Sequence, residues 1–165
     1  MDTPMPDTVV IEPLEADAFT PFGEVLSLPA GGGRLYYEGA LANLRPGAWP
    51  SLSLSHRPEP QQLPLLATTM ERHQFSSQSF IPMAVSRWLV VVAPHGADGG
   101  PDVANLRAFV AGPGQGVTYG ADVWHHPLVV LDGPASFAVF MWREDSATDE
   151  EFVDLPRPIR LVLPE

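Results

Sequence analysis

A chain of 165 residues lies in the usual range for one domain and is long enough to bury a core without staples. It has no cysteine, which excludes disulfides and finger-type zinc sites and fits a cytoplasmic protein. Nine arginines, no lysine and twenty acids give a formal net charge of −11, which argues against a cationic face for nucleic acid and repels anionic lipid headgroups.

The opening Met1–Thr8 has neither the basic region nor the apolar run of a signal peptide. The longest apolar run, Trp88–Ala93, is too short to span a bilayer, so no membrane anchor is expected. A short helix is predicted at Glu15–Phe19. Fourteen glycines and nineteen prolines then break the chain at short intervals and leave little room for long helices. Between the breaks lie β-type runs, first Glu24–Leu28, Arg34–Tyr37, Ser51–Ser55, Leu65–His73, Gln78–Ile81 and Arg87–Val92. Further runs follow at Leu106–Val110, Val117–Tyr119, Val123–His125, Val129–Leu131, Phe137–Met141 and Ile159–Val162. Ala30–Gly33 and His95–Asp102 read as turns or loops, and an acidic helical turn is expected near Asp145–Phe152. Many short strands at even spacing predict a mainly β sandwich or barrel. No repeat or linker divides the chain, so 1–165 reads as a single domain.

Met70-Glu71-Arg72-His73 is the strongest local feature. On a strand, Glu71 and His73 share a face and Arg72 takes the other. Alone, Glu-x-His is weak and favours a surface strand carrying a salt bridge. Gln78 opens the next strand, and much later comes Trp124-His125-His126-Pro127. Neighbours on a strand face opposite ways, so at most one of His125 and His126 enters a shared site. A carboxylate and two imidazoles brought together bind a divalent metal, or without one act as acid and base near neutral pH. His56 and His95 lie in Pro- or Gly-rich contexts and are expected to face solvent or cap turns.

The spacing Glu71-x-His73-x4-Gln78 resembles the first metal motif of the cupin superfamily. Gly114-x5-Gly120-x-Asp122-x2-His125 resembles the second, with Gly120 where that motif has proline and Asp122 where it has its second glycine. Longer stretches resemble the ureidoglycolate lyase family, also called ureidoglycolate hydrolase. These are Pro13-Leu14 with Ala18–Val25, Met70–His73 through Ser77–Met83, Leu106–Phe109, and Gly114–Val117 with Tyr119 and Trp124–Leu128. The family commonly has a histidine where this chain has Gly120. It also has Asp-Arg-Gly near the end of the last core strand, where this chain reads Phe140-Met141-Trp142-Arg143-Glu144-Asp145.

The resemblance implies a cupin-type antiparallel β-barrel (a double-stranded β-helix or jelly roll) with a few short helices. It implies a carbon–nitrogen lyase that splits ureidoglycolate into glyoxylate and urea in allantoin and purine nitrogen breakdown, working in the cytoplasm as a homodimer. Glu71, His73 and His125 are the expected catalytic residues; Gln78, Arg107 and Tyr119 are expected to touch a small carboxylic acid substrate. With no lysine, the carboxylate clamp should be arginine or backbone amides. Arg107, alternating with apolar neighbours, is the first candidate, with a structural ion pair as the alternative. Glu71, His73, Gln78 and His125 are also the metal-ligand candidates, for a nickel- or zinc-like divalent ion or for none. The departures leave two alternatives: an enzyme for another small hydroxy or keto acid, and a non-catalytic cupin that binds a small acid.

Overall fold

Strand β7 (Arg87–Ala93) is apolar from Trp88 onward without alternation, the pattern of a strand buried on both faces. In the computed structural model, which describes residues 7–165, it is the wall between two cores. The first residues of the stretch read as lacking a signal peptide, Met1–Pro6, lie outside that range. Trp88, Val90 and Val92 enter one core with Phe19, Phe109 and Phe137. Leu89, Val91 and Ala93 enter the other with Met70, Trp124 and Leu161.

The first sheet runs β1 (Asp7–Val10), β13 (Glu151–Val162), β5 (Leu65–Arg72), β10 (Trp124–His125), β7, β8 (Arg107–Ala111) and β2 (Glu12–Pro13). β11 (Val129–Leu131) also pairs with β7. The strands at its two ends, β1 and β2, are joined by Ile11 alone, which is fully buried and donates its N–H to Val162 O at 2.7 Å. The sheet therefore curls almost into a closed barrel around the second core. The second sheet runs β3 (Gly23–Leu26), β9 (Gly116–Tyr119), β6 (Gln78–Ala84), β12 (Ala135–Arg143) and β4 (Trp49–Arg57), and faces the first across the Trp88–Phe137 core. Only glycine fits at Gly23, where an added Cβ would lie 1.8 Å from Thr118 O. This is the mainly β barrel expected, antiparallel except for the parallel pairs β1–β13 and β2–β8, with one short helix, α1 (Ala16–Phe19), and a single 3₁₀ turn at Val103–Asn105 among the described residues. No helix of the described residues is long and apolar enough to cross a membrane.

Two expectations are corrected. Arg34–Tyr37 is not a strand but part of an exposed excursion, tied back where Tyr37 donates to Ser27 O at 2.9 Å. Asp145–Phe152 is not helical. The Asp149 carboxylate accepts the Glu144 and Asp145 N–H groups (3.0 and 2.9 Å) and makes a turn, and β13 begins at Glu151. β1 and β2 have no counterpart among the predicted runs, because a four-residue and a two-residue strand give too little alternation to read.

Candidate active site

One row of the first sheet carries Glu71, His125 and Val92 as cross-strand partners; one row of the second carries Tyr119, Gln78 and Met141. Partners on a ladder share a face. Val92, Tyr119 and Val139 all point into the core between the sheets, so both rows meet at its end. His73 follows β5 directly, two residues after Glu71, and keeps the same side.

The two distant motifs are stitched together by backbone and side-chain bonds. Asp122 N donates to His73 O at 2.9 Å. Asp122 has φ 64°, a left-handed conformation that explains the usual glycine at this motif position and that aspartate tolerates better than most residues. Its carboxylate accepts from Arg72 Nη1 at 2.9 Å, and Arg72 also reaches Glu151 at 2.7 Å and lies over the Trp124 ring at 4.6 Å. His95 Nε2 lies 2.6 Å from Asp122 O. Arg72 and His95 thus hold the turn that delivers His125. The expectation that His95 faces solvent or caps a turn missed this link, since nothing local in the sequence ties it to Asp122.

Glu71, His73 and His125 come together: one ligand atom from each lies within 4.8 Å of the other two. His73 Nδ1 donates to Asp149 O at 2.8 Å and His125 Nδ1 to Val123 O at 3.0 Å, carbonyls being acceptors only. Both neutral rings therefore carry their lone pair on Nε2, and both Nε2 atoms are buried without a hydrogen-bond partner. His125 Nε2 faces Glu71 Oε1 at 3.3 Å. Lone pair against lone pair is repulsive, so this gap favours a proton or a cation. Gln78 Oε1 is likewise buried and unpartnered, while its Nε2 contacts Met141 Sδ at 3.9 Å. Orphaned buried acceptors of this kind suit a divalent ion, with Glu71, His73, His125 and the Gln78 oxygen as the set on offer.

Burial pushes the Glu71 carboxyl up, but the His125 ring that faces it at 3.3 Å, with the His73 and His126 imidazoles beyond, outweighs this, and its pKa lies below the ordinary value. Glu71 is thus held as a carboxylate. Burial, then the charge of His125, lowers His73 below the usual imidazole value despite the Asp149 carbonyl. Tyr119 stacks on His125 (centroids 4.2 Å apart, 9° between planes), and burial followed by the Glu71 charge raises its pKa, so it stays a phenol. His126 points elsewhere, with Nδ1 2.7 Å from Pro127 O, in line with one histidine of the pair entering the site.

Arg107 is not brought to the cluster by any contact: it pairs with Glu12 at 2.8 Å and donates to Ala18 O. The cation beside the site is Arg143. It lines a cavity of about 360 Å³ together with His73, Met141, Asp145, Ser146, Asp149 and Glu150. Arg143 ion-pairs with Asp145, and its side chain is 45% exposed, so it can exchange partners. Asp149, which shapes this mouth, is held by Arg45 at 2.6 Å.

The family model described as ureidoglycolate lyase matches residues 6–161. The ureidoglycolate lyase of Burkholderia cepacia is 42% identical over 139 residues, covering 78% of this chain and 76% of that one. That of Brucella anthropi is 36% identical over 168 residues, covering 96% and 98%. Among solved structures, an oxalate decarboxylase of Bacillus subtilis aligns at 15% identity and a TM-score of 0.40, over 87% of this chain and 30% of the other.

Proposed function

The chain belongs to the ureidoglycolate lyase family and is a lyase by that membership, and we propose that Glu71, His73, Gln78 and His125 are its reaction centre, releasing glyoxylate and urea from ureidoglycolate. The observation that carries this is the convergence of two bare, buried Nε2 atoms and a carboxylate beside a cavity lined by an arginine.

Arg143 holds the substrate carboxylate in the way a planar guanidinium does, trading Asp145 for it. His73, neutral at working pH, takes the hydroxyl proton through Nε2. As the carbonyl forms, the carbon–nitrogen bond breaks, and the departing urea nitrogen needs a proton. His125 supplies it from Nε2, which faces the Glu71 carboxylate at 3.3 Å. Gln78 offers its amide to the urea group. A divalent ion, if held by Glu71, Gln78 and the Nε2 atoms of His73 and His125, would supply Lewis-acid polarisation of the substrate hydroxyl in place of proton transfer through those nitrogens. The same reading makes the protein a cytoplasmic homodimer of allantoin breakdown.

Purified protein should release glyoxylate from ureidoglycolate well above the spontaneous rate. Losing a positioned base should lower kcat about 10²–10⁴-fold in His73→Ala. Arg143→Ala should raise KM more than it lowers kcat. Glyoxylate release at the background rate, or an unimpaired His73→Ala enzyme, rejects the assignment.

A further inference from the structure

Arg45 sits where the excursion that follows β3 returns to the site. Leu44 N donates to Phe75 O at 2.8 Å, Ser77 N to Ala42 O at 3.0 Å, and Ala42 N to Ser77 Oγ at 2.9 Å. The segment before Arg45 is thus bonded along the 73–77 turn that links β5 to β6, the turn that His73 opens. Ser76 Oγ accepts the Trp142 N–H at 2.9 Å and ties the same turn to the end of β12. Arg45 then places its guanidinium behind the 144–149 turn, 2.6 Å from Asp149 and 3.2 Å from Glu144, and 5.5 Å from the centre of the Phe75 ring. Its side chain is only 11% exposed and does not line the cavity.

Asp149 passes this hold on to His73. Its carboxylate accepts the Glu144 and Asp145 N–H groups and fixes the turn, while its backbone carbonyl accepts the His73 Nδ1–H at 2.8 Å. The turn is crowded with like charge, since Glu144, Asp145, Asp149 and Glu150 lie within seven residues. Among the described residues only Arg45 and Arg143 ion-pair with it. Arg143, 45% exposed, is free to exchange Asp145 for a substrate carboxylate. Arg45 is not, because leaving would strand two carboxylates and its own buried charge, which is costly. We propose that Arg45 is a positioning residue of the reaction centre. It holds the Asp149 turn while Arg143 turns to the substrate, and through the Asp149 carbonyl it keeps the His73 proton on Nδ1 and the lone pair on Nε2. This rests on the reading of His73 as the base. A ring whose Nδ1 is not held takes either tautomer, and only one of them leaves Nε2 able to accept a proton.

Nitrogen-15 NMR of histidine-labelled protein reads the tautomer without substrate, at about pH 8 where an ordinary imidazole is neutral. The sample is treated with a chelator, so that no ion on Nε2 sets the tautomer itself, and the His73 signals are those lost in His73→Ala. The native chain should show His73 with a protonated Nδ1 and a bare Nε2, and Arg45→Gln should show a mixture of the two tautomers. In that variant kcat for ureidoglycolate should fall about tenfold to a hundredfold, as for other small misplacements of a reacting group, with KM within about twofold. Arg45→Lys, which keeps the charge, should restore the single tautomer and most of the rate. Asp149→Asn should mix the tautomers in the same way, and it decides the matter if Arg45→Gln does not fold. Combining the two substitutions should cost no more than the worse of them alone, because both act through one pair. A folded Arg45→Gln protein with a single His73 tautomer overturns the proposal whatever its rate. A raised KM with kcat intact makes Arg45 a substrate contact and overturns it too, as do fully additive losses in the double variant. If the native protein releases no glyoxylate above background, the functional reading fails, and the tautomer in Arg45→Gln alone upholds or overturns the positioning role.

Discussion

The hydrogen that His73 gives to the Asp149 carbonyl decides which of its nitrogens can work. A tautomer fixed by a backbone carbonyl is more dependable than one fixed by a side chain, because the carbonyl cannot titrate away. The same burial has a consequence for stability. His73 and His126 both have pKa values held below the ordinary imidazole value, chiefly by desolvation. The unfolded chain therefore binds protons first as pH falls through about 6.5. More protons bound in the unfolded state means that stability rises with pH and falls on acidification, from about pH 6.5 down to the lowered folded values. Model carboxylic acids titrate below about pH 4.5, under the interval in which an imidazole binds its proton. Thermal melts should show Tm dropping between pH 7.5 and 5.5, with a shallower drop in His126→Asn. A Tm that holds or climbs over that interval would contradict the buried neutral imidazoles.

At the level of elements, the site depends on the end of β5 being fastened to the turn before β10. Arg72 performs this by touching Asp122, Glu151 and the Trp124 ring together. Removing it in Arg72→Ala should cost about 1–2 kcal/mol after allowing for the partly exposed carboxylates. Activity should fall several-fold while substrate affinity changes little, because His125 loses its fixed position rather than its chemistry. Equal loss in kcat/KM and stability, with kcat intact, would show Arg72 to be structural only. Glu71, His73, Gln78 and His125 were legible through the resemblance to the two cupin motifs, strand alternation adding only that Glu71 and His73 share a face. Arg107 misled for a related reason: alternation gives a residue's side of a sheet but not its partner, and Glu12 arrives from β2, a strand of two residues. Arg143 carried a signal in its place within the departed Asp-Arg-Gly stretch. Its nearness to His73 could only come from the turn that Asp149 ties. The acidic 145–152 stretch read as helix because side chains that cap turns leave no periodicity behind.

Across the whole molecule, the two cores are unequal in what they do. The core between the sheets ends at the proposed reaction centre; the one inside the curled sheet is built of apolar side chains such as Met70, Trp124 and Leu161. Yet β7 lends alternate residues to both, and that makes them hard to separate energetically. Trimming Leu89 to alanine, on the side away from the histidines, should cost about 2–5 kcal/mol, as for other deep cavities. Calorimetry should still give one transition, and two resolved peaks would refute the coupling. A protease or an exchanging deuteron arriving at either compartment meets the same consequence: because one strand is the floor of one room and the ceiling of the other, the backbone amides of Trp88 through Ala93 become accessible only when the entire chain lets go.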